Sequence, residues 1–207
     1  MTLPLHNSPP LADGWLRHCP PVCDALMRHW LMRPGALTAG LRQVGQVRLR
    51  VTDEYAQGAL PDEARAMHIA PGTPVWVREV LMSVDGVDSV PARSLAPLTA
   101  SHGAWQGMRR LSTRPLADML YHDRTVTRSP FAVRRLAAPV PFFQRLQSVL
   151  DAQHGEHAAR HLWARRSVFW RAGQPLLVAE CFLPGFWPVA AANNPFPPLK
   201  RHVIRRG

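Results

Sequence analysis

The sequence predicts an α+β fold, an antiparallel β-sheet covered by helices. Asp85-Gly86 sits between two β-prone runs, Pro74 to Val84 and Val87 to Leu95, and Asp-Gly in that setting is a strong two-residue hairpin turn. A second pair of runs, Trp163 to Arg171 and Gln174 to Leu183, flanks Ala172-Gly173. Short segments with helical spacing separate the strands. Hairpins joined in this way build an antiparallel sheet whose apolar face helices must cover.

In chain order, residues 1 to 22 read as an irregular arm. From Cys23 to Met32, Leu26, Met27, Trp30 and Leu31 fall on one stripe and predict a helix, which Pro34-Gly35 ends. A second helix is expected from Leu37 to Gln43, stopping near Gly45. Val47, Leu49 and Val51 alternate with Arg48 and Arg50, the pattern of a half-buried strand. In the second strand of the first hairpin Pro91 is awkward, because it cannot donate to a ladder. A short helix is expected from about Thr113 through Leu116 to Leu120, with Pro115 in its first turn. Thr125 to Val133 reads as a strand. Residues 141–161 read as a helix, with Phe142, Leu146, Val149 and Leu150 at helical spacing. From Pro184 proline and asparagine dominate, and irregular structure is expected. No internal repeat is visible. The chain divides into an arm (1–22), one domain (23–184) and a basic, proline-rich tail (185–207).

Composition narrows the function. An apolar share of 46% over 207 residues suffices for a real core. The formal net charge of +11 favours anionic partners. Nearly all of the excess is arginine, since Lys200 is the single lysine, and arginine usage in a GC-rich genome would give the same excess. No basic stripe with interleaved aromatics occurs, which argues against nucleic acid. Lys200, Arg201, Arg205 and Arg206 place four of the charges in the tail. Cys19, Cys23 and Cys181 form no disulfide framework, and Cys19 and Cys23 lack the second pair that a zinc site needs. The start, Met1 to His6, lacks the basic and apolar runs of a signal peptide, and no stretch is long and apolar enough for a transmembrane helix. A cytoplasmic monomer without stable membrane insertion is expected.

Two side chains stand out as candidates for chemistry. Glu180 is the only charge in Leu176 to Leu183, and on a strand it shares a face with Leu176, Val178 and Phe182. A carboxylate there is costly unless it is paired, hydrogen-bonded or protonated. An edge-strand glutamate on a solvated face gives the same pattern. Arg78 shares a face with Trp76, Val80 and Met82, and its fork suits a carboxylate ligand. It is the natural counterpart of Glu180, although a strand arginine that snorkels to water, or pairs with Glu79, looks alike. Arg93, Arg165 and Arg166 are weaker cases of the same kind. His157 and His161 are spaced i, i+4 with His154 nearby, but no third ligand completes a metal site and a solvated helix face explains them. No Gly-x-Ser-x-Gly elbow and no phosphate-cradling glycine loop occur.

Read together, several segments resemble the chorismate pyruvate-lyase family. They are Trp30-Leu31 followed by Gly35-Ala36-Leu37-Thr38; Trp76-Val77-Arg78-Glu79-Val80-Leu81; Ala92-Arg93-Ser94 with Pro97; Arg114-Pro115-Leu116 with Leu120-Tyr121; and Leu162 to Ser167, Gly173 to Leu177, Glu180 and Phe182-Leu183-Pro184. The resemblance covers roughly residues 23 to 184. It implies an antiparallel sheet of about six strands with helices closing a buried site. It implies a lyase that converts chorismate to 4-hydroxybenzoate and pyruvate at the start of the ubiquinone pathway, with no metal and no cofactor. It makes Arg78 the anchor of the ring carboxylate and Glu180 the acidic residue at the other end, both catalytic. It makes Leu116 a pocket-lining position and Leu37 an apolar residue of the flap. On its apolar face Glu180 would carry the raised pKa that a base or acid needs, and Arg165 would neutralise the pyruvyl end.

The sequence also departs from the family pattern. Gly40 stands where a basic residue is usual, Ser89 and Pro91 occupy a region that usually contains Trp, and Ala117 replaces a glycine. Residues 137–160 look inserted, and the tail is long. The alternative reading is a non-catalytic domain of the same fold that binds a small aromatic acid, as in the effector domains of certain transcription regulators. Those follow a DNA-binding helix-turn-helix, for which 22 residues leave too little room.

Overall fold

The computed structural model describes residues 14–137, 142 and 161–193. Seven strands form one antiparallel sheet: β1 (Val47–Gly58), β2 (Pro74–Val84), β3 (Val87–Pro97), β4 (Thr127–Arg128), β5 (Ala132–Leu136), β6 (Leu162–Arg171) and β7 (Gln174–Phe182). Their order is β1-β2-β3-β7-β6-β4, and β5 also pairs with β6. The sheet therefore has six strand positions, the last shared by β4 and β5. The single strand expected from Thr125 to Val133 is broken at Ser129-Pro130-Phe131. Pro130 has no N–H to give, and Ser129 bridges the gap by bonding both backbone groups of Val168.

Helices α1 (Ala25–Met32), α2 (Leu37–Leu41) and α5 (Phe186–Ala192) cover one face of the sheet. There Trp30, Leu31, Leu37 and Leu41 meet Val80, Met82, Phe182 and Phe186. Asp24 caps α1 by accepting from the Met27 N–H at 2.7 Å. Further along the same face, α4 (Ala117–Leu120) and two 3-10 turns bring Trp105, Met108, Leu116 and Leu120 onto Phe169 and Leu176. The opposite face is covered by α3 (Pro61–Met67), whose Ala64 and Met67 pack on Val75, Val77, Leu95 and Leu177.

Several expectations change. Within the tail, expected to be irregular, Phe186–Ala192 forms α5, because Phe186 and Ala190 are buried in the core, and residues 194–207 lie outside the described residues. Within the expected N-terminal arm Trp15 is buried, and Leu16 exchanges backbone bonds with Val133 at 2.8 and 2.7 Å. Strand β1 runs to Gly58 rather than Val51. As an edge strand it turns polar residues such as Thr52 and Asp53 to water, so its second half lacks the apolar alternation that marks a strand. Helix α3 was not expected, although Pro61 followed by Asp62 and Glu63 is a helix-start signature. The helix expected over residues 141–161, with His154 and His157, lies outside the described residues apart from Phe142 and His161.

Candidate active site

Arg78 projects from β2 on the same face as Val80 and Met82, and it is buried with 1% of its surface exposed. Its Nη2 donates to the Ser112 carbonyl at 2.6 Å and to the Arg114 carbonyl at 3.3 Å. Ser112 adopts the left-handed conformation (φ 50°), unusual for a residue with a side chain, and its strained turn offers that carbonyl to Arg78. Glu54 on β1 comes within 3.3 Å of Arg78 Nε. Burial pulls the Arg78 pKa down and Glu54 partly restores it.

Glu180 projects from β7 on the face that carries Val178. Its partner is Arg165, its direct neighbour on β6, with Nε 2.6 Å from Oε2. The expected direct pairing of Arg78 with Glu180 is thus corrected. Ser94 on β3 is the register partner of both Arg78 and Val178, so one strand lies between the two residues. From strand spacing and rise, their Cα atoms stand roughly 12 Å apart. Glu180 is likewise not a lone carboxylate on an apolar face, because the guanidinium beside it occupies that face. Arg165, itself 1% exposed, also donates Nη1 to the Trp30 and Arg33 carbonyls at 3.0 Å each, tying α1 to the sheet.

Arg78, Glu180, Leu116 and Leu37 line one cavity. It is a cleft partly open to solvent. Its floor is the sheet: Leu49, Val80, Met82, Ala92, Val178 and Phe169 supply apolar surface around Arg78 and the Arg165–Glu180 pair. Its roof is the α1–α2 turn, from Gly35 to Thr38, and the segment from Pro115 to Tyr121. Gly35 turns the chain with φ 77°, a conformation glycine adopts without penalty. At Gly40, where the family pattern has a basic residue, a side chain would meet that of Arg33, which already fills this space.

The sequence reading did not single out Tyr121, Phe131, Ser167 or Phe169, which also line the cavity. Ser167 and Phe169 follow Arg165 at alternate positions of β6, so strand periodicity alone signals them. Burial pushes the Tyr121 hydroxyl up, and Glu180 acts the same way, while Arg128 and Arg165 oppose it. Arg93 and Arg166 face away from the cavity. Arg93 is clamped by Glu63 and Glu79 at 2.7 and 2.6 Å, and Arg166 lies 3.4 Å from Asp62. Among the described residues, no group of three or more His, Cys, Asp or Glu side chains is arranged to hold a metal ion, and no helix is long and apolar enough to cross a membrane.

The arrangement suits a small anion with a flat apolar body. One carboxylate would meet a fixed guanidinium, and the body would lie on aliphatic and aromatic side chains. At the far end stand a carboxylate and a second guanidinium.

A "Probable chorismate pyruvate-lyase" of Bordetella avium (strain 197N) is 67% identical over 196 residues, covering 95% of this chain and 96% of that protein. One of Bordetella pertussis (strain Tohama I) is 65% identical over 192 residues, covering 93% of this chain and 97% of that protein. Among solved structures, the C-terminal domain of PhnF superimposes with a TM-score of 0.50 at 18% identity, over 70% of this chain and 87% of that one, a likeness of fold alone. The profile described as "Chorismate lyase" matches residues 15–191, and the chain belongs to that family.

Proposed function

We propose that this protein cleaves chorismate to 4-hydroxybenzoate and pyruvate in the cavity between the sheet and the α1–α2 turn. The observation that carries the reading is the spacing of the charges. Arg78 is held rigid on one side of an apolar floor, and Glu180 with Arg165 lies one intervening strand away. Chorismate has the matching form, a flat ring with a carboxylate at one end and an enolpyruvyl ether near the other.

The reaction removes the proton from the ring carbon that bears the hydroxyl. The neighbouring C–O bond breaks with its electron pair on the leaving oxygen, and the ring becomes aromatic. The released enolate takes up a proton to become pyruvate. In this reading Arg78 fixes the ring carboxylate. Leu116 and Leu37 close over the ring and exclude water. Glu180, held in place by Arg165, receives or relays the ring proton. Much of the driving force is aromatisation, so the protein's task is mainly to orient the diene and to place charge where it develops. The reading places the enzyme in the cytoplasm as a monomer acting on a small molecule, with no nucleic acid involved. The arginines, scattered without a basic stripe, support the absence of nucleic acid.

The test is to mix the purified protein with chorismate and follow 4-hydroxybenzoate. Its appearance in the wild type and its loss in Arg78→Ala are expected. Saturable binding of 4-hydroxybenzoate without any turnover of chorismate would favour a sensing domain instead.

A further inference from the structure

Chorismate carries two carboxylates, and a subsite for the second rests on the reading that chorismate is the substrate. Arg78 accounts for the first. The second was expected at Arg165, whose Nε meets Glu180 and whose Nη1 meets two backbone carbonyls, much as Arg78 meets Glu54 and the Ser112 and Arg114 carbonyls.

Arg128 is placed differently. It lies on β4 directly opposite Phe169 of β6, and opposed residues of an antiparallel pair project to the same face. That face carries Arg165, Ser167 and Phe169 of the cavity wall. The Arg128 guanidinium lies 4.0 Å from the centroid of the Phe131 ring, and Arg165 lies 4.3 Å from the same centroid. Phe131 itself lines the cavity. Among the described residues, Arg128 Nη1 is buried and has no hydrogen-bond partner. A buried charged donor without an acceptor is costly, and this one stacks on Phe131, whose side chain separates it from a cavity that suits an anion. Tyr121, on the cavity roof, is within electrostatic reach of Arg128, Glu180 and Arg165.

We propose that Arg128 is the second anion subsite, its Nη1 receiving the carboxylate of the enolpyruvyl group beside the Arg165–Glu180 pair. Arg128 forms no covalent bond. It holds that carboxylate while the C–O bond breaks and until pyruvate leaves. The subsite explains how a cavity whose second guanidinium is engaged by Glu180 accepts a dianion. It also distinguishes substrate from product, because 4-hydroxybenzoate keeps only the carboxylate assigned to Arg78.

The experiment compares wild type, Arg128→Met and Arg128→Lys in the full chain. It measures steady-state turnover of chorismate and equilibrium binding of 4-hydroxybenzoate. In Arg128→Met the KM for chorismate should rise about 10- to 100-fold, the usual effect of losing a charged hydrogen bond, while the Kd for 4-hydroxybenzoate stays within about threefold. Arg128→Lys should recover part of the KM. A merely structural role would weaken both ligands in parallel. Unchanged KM, or parallel loss of both ligands in Arg128→Lys, overturns the proposal. If Arg128→Met does not fold, Arg128→Lys decides alone: the subsite requires a raised KM with ordinary product binding. A wild-type protein that leaves chorismate intact overturns the lyase reading instead, before any variant is compared.

Discussion

Arg165 and Glu180 face each other across β6 and β7, with Arg165 Nε 2.6 Å from Glu180 Oε2. Arg165 is also bonded to the end of α1 through the Trp30 and Arg33 carbonyls. The pair therefore joins the proposed proton acceptor to the helix that leads into the roof of the cavity. Removing one partner of a buried pair leaves an uncompensated charge, whereas removing both does not.

Glu180→Gln keeps the shape and hydrogen-bonding capacity of the side chain but not its basicity. Turnover of chorismate should fall on the order of 100-fold or more, as for loss of a general base, with binding of 4-hydroxybenzoate largely kept. Glu180→Ala should in addition lower unfolding stability by about 3 kcal/mol. The double variant Arg165→Met/Glu180→Met should be more stable than Glu180→Ala. Urea titrations of these proteins beside steady-state rates check both statements, and full turnover in Glu180→Gln removes this residue from the proton pathway.

Arg78 should act through binding. Its guanidinium is fixed by the Ser112 and Arg114 carbonyls, a geometry that the point charge of lysine cannot reproduce. Arg78→Lys and Arg78→Met should both weaken 4-hydroxybenzoate by about 10- to 100-fold. Calorimetric titration measures this directly. An affinity within a factor of about two of wild type would move the ring carboxylate elsewhere.

The opposite face of the sheet should separate stability from catalysis. Arg93 is held there by Glu63 of α3 and by Glu79, with Tyr55 donating to Glu79 at 3.0 Å. Glu63→Ala removes one carboxylate from a buried arginine and should cost about 3 kcal/mol. The KM for chorismate, measured well below the unfolding midpoint, should stay at the wild-type value. A large change in KM would show that α3 communicates with the cavity.

The cysteines supply a pH test. Burial, reinforced by contact with Cys19, pushes the Cys23 thiol up to about 12, and burial raises Cys181 and Cys19 as well. Only the thiolate is alkylated. At pH 8 the native protein should react first at the partly exposed Cys19, and at Cys23 and Cys181 only after unfolding. A raised folded pKa favours the native state fully below the unfolded value near 9. Above it the unfolded thiol ionises while the folded one does not, so this stabilisation is lost between about 9 and 12. Cys23→Ala should lose less stability than wild type over that interval, as alkaline urea titrations can show.

Much of the fold was legible because its signals are local. Asp85-Gly86 and Ala172-Gly173 fix two hairpins whatever packs on them. The two-residue turn at Ala172-Gly173 pairs Arg171 with Gln174, and counting back along both strands from there pairs Arg165 with Glu180. That partnership was therefore present in the sequence, and the single-strand view of Glu180 passed over it. Strand alternation likewise placed Arg78 with Val80 and Met82, and Glu180 with Val178, on faces that meet in one cavity. Helix α5 was missed because Pro184, Pro188 and two asparagines carry loop chemistry, which the burial of Phe186 overrides.

Most of the strands, the face each charged residue takes, and the family were all set by the order of residues. The register of the first hairpin, and the partners it creates, came from the assembled fold. Counting from Asp85-Gly86 would set Arg78 opposite Arg93, two like charges side by side. A bulge at Ser89 shifts the pairing by one residue beyond Met82, so that Arg78 meets Ser94 and Arg93 meets Glu79. The Leu183 N–H, donating to the Ser89 carbonyl at 2.9 Å, helps to hold that bulge from β7's end of the chain. No local propensity encodes this shift. It puts the two buried guanidiniums on opposite faces, where Arg93 meets Glu63 and Glu79 while Arg78 meets Glu54 and the Ser112 and Arg114 carbonyls, partners that only the assembled sheet and its covering segments supply.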